Sequence, residues 1–217
     1  MGKFEPVTRR HDPAVDVYSD NRPLLSGLVE DAEEWTVGRS WMIRLPLVAY
    51  LAYALMKHLN DPLYGTFLFS GITLAIHELG HVLFGMRWAP HFVTAAAGTA
   101  AQLAAPVATA WIFVRQPDYF GVSVAGMWLS YSMFNMATYM ADARERFLPL
   151  VSVGSGETIH DWEYMFTSVG MMANDKTIAG FVRLLAGIVG FISLGGGLWL
   201  CYRMHVNRGR KRRSEGW

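Results

Sequence analysis

Apolar residues in this chain fall into long blocks separated by short polar breaks. Five blocks stand out, at residues 41–56, 63–86, 92–114, 119–141 and 178–202. A helix rises 1.5 Å per residue, so about 20 apolar residues cross the roughly 30 Å hydrocarbon layer of a bilayer. The pattern therefore predicts an all-α, polytopic transmembrane helical bundle of about 5–6 membrane helices. The first block is short for a span, and Trp41 with a snorkelling Arg44 extends it. It closes at the turn-like run Lys57-His58-Leu59-Asn60-Asp61-Pro62. The third block is rich in Ala, Gly and Thr, which lets helices approach closely, and it contains Gln102 and Pro106, the latter a point of kinking or breakage.

Three regions follow: a polar N-terminal arm at 1–40, a membrane body at 41–202 and a basic tail at 203–217. The arm has the composition of a surface segment, with a short amphipathic helix at 24–35, and carries no apolar stretch of the kind that precedes a signal cleavage site. Between the fourth and fifth blocks, residues 142–176 are polar, apart from 162–172, which are apolar enough to be partly embedded.

Lys and Arg near span ends set orientation. Arg203, Arg208, Arg210, Lys211, Arg212 and Arg213 place the tail in the cytoplasm, and Lys3, Arg9, Arg10, Arg22 and Arg39 favour the same side for the arm. The expected location is a prokaryotic cell membrane, multi-pass. Both ends inside demands an even number of crossings against five blocks, so either the third block is re-entrant or the region around Trp162 crosses.

Composition supports the membrane reading. The chain is 52% hydrophobic and 17% charged, where soluble domains carry about a quarter charged residues. The net charge of +1 comes from basic residues gathered at the ends, which excludes a nucleic-acid surface. Cys201 is the single cysteine, so no internal disulfide forms. The eight tryptophans suit interface belts and packing.

Within the second block lies His77-Glu78-Leu79-Gly80-His81. Ionisable groups at membrane depth cost roughly 2.5–3.5 kcal/mol each, so they mark function. On a helix His77 and His81 are one turn apart on one face, where both imidazoles reach a single tetrahedral zinc ion, one per chain. Glu78 is then placed as the catalytic base, taking a proton from water activated at the metal. Gly80 thins the helix where a substrate or another backbone approaches.

This motif on a membrane helix, followed by Asn135 and Asp142 on a later one, resembles the site-2 protease family of intramembrane zinc metalloproteases. Asn135 and Asp142 lie about two helical turns apart, although no proline stands between them and no glycine follows Asp142. The resemblance implies a protease that cuts a membrane-protein substrate in or near the bilayer, with Asp142 completing the ligand set His77, His81, Asp142. The competing third ligands are His160 and Asp161, in a polar cluster at a helix start that Thr158 or Asp161 would cap. Asn135, Tyr139 and His160 are candidate donors to substrate or transition state, and Gln102 is expected to bond a neighbouring helix. His58 and His91 flank spans, His11 and His205 lie in the polar ends, and Arg183 snorkels. Two other functions fit the same motif: a prenyl-protein-type endopeptidase, with Glu157 or Glu163 on the metal, and a non-catalytic zinc-binding scaffold.

Overall fold

A computed structural model describes residues 24–84, 89–149 and 160–210. These residues form seven α-helices and no strand: α1 (Leu24–Thr36), α2 (Leu45–Asn60), α3 (Ser70–Phe84), α4 (His91–Arg115), α5 (Tyr119–Ala141), α6 (Asp161–Ser168) and α7 (Asp175–Val206). The all-α expectation holds. Two helical segments are long and apolar enough to cross a membrane, His91–Arg115 and Met172–Gly209. The rest of the arm, the segment 150–159 with Glu157 and Thr158, and the tail beyond Arg210 lie outside the described residues.

Four helices stand side by side with alternating direction. Val48 meets Gly197 while Leu55 and Leu59 meet Gly190 and Gly187, so α2 and α7 are antiparallel. Ser130 donates its hydroxyl to Ala186 O at 2.7 Å and Gly126 faces Ser193, which makes α5 and α7 antiparallel as well. Gln102 reaches Ser132 at one height and Phe113 packs on Gly121 at another, so α4 runs against α5. Glycine and serine at these crossings leave no bulk between the helix axes. Pro106 lies inside α4 and is buried, yet the helix continues through it from His91 to Arg115.

The second apolar block does not become one long helix. Residues 61–69 form turns, and helix begins only at Ser70, after Thr66 has accepted hydrogen bonds from Phe69 N and Ser70 N. Pro62 O accepts from Thr138 Oγ1 at 3.0 Å, whereas Phe69 packs on Trp128 and Tyr131, and Ser70 Oγ accepts from Tyr131 at 2.9 Å. The chain thus descends beside α5 from the height of Thr138 to that of Tyr131. Helix α3 then climbs back, bringing His77 level with Tyr139. It is 15 residues long, about 22 Å, and starts at mid-height of its neighbours.

The two ends of the bundle differ. At one, α1 lies across α7 and α5: Arg203 pairs with Glu33 at 2.7 Å, Asn207 donates to Thr36 at 2.9 Å, and Trp35 packs on Tyr119. At the other, the segment after α5 is tied to α6 and α7 by Arg144–Asp175, Lys176–Glu145 and Arg146–Glu163 ion pairs. Between the ends, large apolar side chains face outward, with Ile192 71% and Phe181 67% exposed.

Candidate metal centre

Helix α3 presents His77 and His81 toward α4. Their approach depends on two glycines. A Cβ on Gly80 would stand 2.5 Å from Ala97 O, so its absence lets α3 and α4 touch backbone to backbone. A Cβ on Gly98 would collide with His81 Nε2 and lie 2.8 Å from His77 Nε2, so α4 leaves an opening where the two imidazoles converge.

Both rings are held from behind. His77 Nδ1 faces Gln102 Oε1 at 3.0 Å, and His81 Nδ1 faces Thr94 O at 2.9 Å. The Gln102 amide is itself oriented, because its Nε2 donates to Ser132 O at 2.9 Å and Asn135 Oδ1 at 3.2 Å. A carbonyl oxygen can only accept, so each Nδ1 carries the proton and each Nε2 points a lone pair inward. Those two Nε2 atoms are 3.0 Å apart.

The third group is Asp161. Its Oδ2 lies 3.4 Å from His77 Nε2 and 3.3 Å from His81 Nε2. Among the described residues, His77, His81 and Asp161 form one group whose ligand atoms can hold a single metal ion. Three inward-facing acceptors at this separation repel one another unless a cation lies among them.

Asp142, the ligand expected from the Asn135–Asp142 spacing, lies outside this group. It ends α5, where its carboxylate accepts from Phe147 N at 2.9 Å and Leu148 N at 3.1 Å and stands 3.5 Å from His160 Nε2. The helix has finished by Asp142, so the local chain turns back onto that carboxylate. His160 is buried, and burial pushes its imidazole down against the upward pull of Asp142. It is also the cap of α6 in place of Thr158 or Asp161, its Nδ1 accepting from Glu163 N at 3.3 Å. Capping through His160 puts Asp161 at the first helical position, with its side chain free to turn to the histidines.

The remaining candidates sort around this centre. Tyr139 stacks on His160 with centroids 4.2 Å apart, lies 6.3 Å from the His77 ring, and its hydroxyl accepts from Asp161 N at 3.3 Å. Asn135, a candidate donor to substrate, has its Oδ1 engaged by Gln102 Nε2. Glu78 is half-buried, near enough to act electrostatically on both His81 and Tyr139. Glu163 pairs with Arg146 and lies outside the ligand group. Gln102 does bond a neighbouring helix, and it also orients His77, a role that a lone Gln in an apolar run does not announce. Thr94 contributes only its backbone carbonyl, which no sequence pattern marks. His58, in the last turn of α2, is buried among Tyr64, Tyr131 and Phe134, and Arg183 donates to Thr138 at 3.2 Å. No known family, curated protein or solved structure matches this chain.

Proposed function

We propose that the protein is an intramembrane zinc metalloprotease, akin in plan to the site-2 protease family, that hydrolyses a peptide bond of a membrane-protein substrate. The observation that carries the reading is the convergence of His77 Nε2, His81 Nε2 and Asp161 Oδ2 at 3.0–3.4 Å. Donors bonded to one tetrahedral ion at 2.0–2.1 Å stand about 3.3 Å apart, so the three separations fit the edges of a tetrahedron around zinc. Two imidazoles and one carboxylate also match zinc's preference for nitrogen with one hard oxygen, and leave a fourth position open.

When bound, zinc supplies Lewis acidity: it makes water acidic near neutral pH and polarises a carbonyl. The chain's own residues do the rest. Glu78, next to a ligand but not in the ligand group, accepts the proton that the attacking water loses and delivers it to the leaving amine. Gln102 and the Thr94 carbonyl keep both imidazoles in the tautomer that turns Nε2 inward. Tyr139 stands beside Asp161, its hydroxyl in reach of both the amide and the carboxylate of that residue, and is the candidate donor to a substrate oxygen. A substrate helix has its carbonyls hydrogen-bonded, so cleavage requires local unwinding at the site.

The test is Glu78→Gln. Glutamine keeps the shape but accepts no proton, so cleavage of a co-expressed membrane substrate should fall by about 10²–10⁴-fold while zinc stays near one per chain. Full cleavage by the zinc-loaded variant would move the scaffold reading to the front, and iron or no metal in fresh protein would overturn the zinc assignment.

A further inference from the structure

We propose that the centre opens on the non-cytoplasmic face of the membrane, and that its substrate is an anchored polypeptide cut at the non-cytoplasmic boundary of its span. The substrate clause rests on the metalloprotease reading; the sidedness does not.

The argument starts from α3. Residues 61–69 descend beside α5 only to the height of Tyr131 before α3 returns to the end it left. Residues 61–84 are therefore a re-entrant hairpin, and the elements that run the full height are α2, α4, α5 and α7. Four crossings is the even number that a shared side for arm and tail demands. The re-entrant element is the second apolar block, which the crossing count alone does not single out. Irregular backbone at membrane depth is tolerated only where protein covers it. Tyr50 accepts from Leu68 N and Thr138 donates to Pro62 O, so partners from α2 and α5 line the descent, and within it Asp61 accepts from Leu63 N.

The charges then orient the bundle. The end that holds α1 carries Arg39, Arg44, Arg115, Arg203, Arg208 and Arg210. That these belong to one end follows from Trp35 on Tyr119, Arg44 beside Phe120, Trp41 on His205 and Glu33 with Arg203. In sequence Lys211, Arg212 and Arg213 follow directly. The end with the metal centre has Lys57, Arg144, Arg146 and Lys176 among the described residues, and in sequence Arg87 follows α3. Excess Lys and Arg mark the cytoplasmic side. The α1 end is then cytoplasmic, and His77, His81 and Asp161 lie at the opposite face.

Depth follows from the same heights. The centre is level with Tyr139, in the last turn of α5, and Asp161 comes from α6 beyond that helix end. One helical turn is about 5 Å, so the scissile bond sits in the outermost turn of the substrate's anchor or just past it. Cleavage there frees a product on the non-cytoplasmic side.

The experiment is cysteine accessibility, read without activity. Cys201 is the sole cysteine and is buried, so Cys201→Ala gives a silent background. Single cysteines are placed at Phe147 and Val169 on the centre's end, 82% and 53% exposed, and at Met42 and Arg208 on the other. A membrane-impermeant maleimide should label the first two in intact cells to the level reached after permeabilisation, and the second two only after it. The reverse pattern, or labelling of both ends alike, overturns the proposal. If Cys201→Ala fails to accumulate, the buried wild-type cysteine serves as background, its contribution fixed by the protein carrying no added cysteine. The same labels on Glu78→Gln report sidedness in a protein that cuts nothing, so loss of the protease reading and loss of the topology are told apart.

Discussion

Two imidazole nitrogens and a carboxylate oxygen within 3.4 Å of one another define the centre at the scale of single residues. Removing one donor should weaken metal binding sharply; removing a group that only supports it should do less. Asp161→Ala is therefore expected to lower zinc occupancy of purified protein far more than Asp142→Ala, which acts through His160 and the α6 cap. Outer partners of ligands typically cost 10–100-fold in affinity, so Asp142→Ala should retain zinc at saturating metal. Metal content after dialysis against graded chelator separates the two, and a zinc-free Asp142→Ala beside a loaded Asp161→Ala would restore Asp142 as the ligand. His77, Glu78 and His81 were legible in the sequence because their spacing is a helix turn. Asp161 was one of three options, since its position depends on how α6 packs against the bundle.

At the scale of elements, the closeness of α3 to α4 makes the site possible. Gly98→Ala would press a methyl group into the space where both Nε2 atoms converge. It should empty the metal centre while leaving the fold largely in place, because His77 and His81 can swing away more easily than two backbones can part. Gly80→Ala differs: its methyl meets the Ala97 carbonyl and the Ala101 side chain, so the helices themselves must separate. Overpacking of this kind costs about 1–3 kcal/mol. Thermal melting in detergent, read with zinc content on the same samples, should show Gly98→Ala metal-poor with a near-native melt and Gly80→Ala melting lower. Equal melting losses would mean that Gly98 serves packing alone. Helix existence was legible throughout, from α1 at 24–36 to the long α7, because each apolar block is longer than any strand. The missing first half of the second block was not: residues 63–69 are as apolar as a helix, and hydrogen bonds to Asp61, Thr66 and Tyr50 hold them in turns.

At the scale of the molecule, the centre's end is closed by ion pairs that carry α6 into place. Asp175 is fully buried and takes two hydrogen bonds from Arg144, at 2.7 and 2.5 Å. Arg144→Ala leaves that carboxylate with its Lys176 backbone bond alone. Since Arg144 is itself half exposed, the loss should be below that of a wholly buried pair. The melt should fall accordingly and Asp175→Asn should fall less, because an amide needs no counter-charge; a larger loss for Asp175→Asn would contradict this. The sequence by itself determined the helical class, the apolar blocks and the His77–His81 pair with its neighbouring Glu78, since each rests on contacts within a few residues. Only the tertiary structure decided which acid meets the histidines, that Gln102 and Thr94 hold them, and that α3 starts at mid-height. Those depend on segments 13 to 84 residues from one another in number, brought together by helix packing that no local pattern encodes: Thr94 reaches His81 across 13 positions, Gln102 reaches His77 across 25 and Asp161 reaches it across 84.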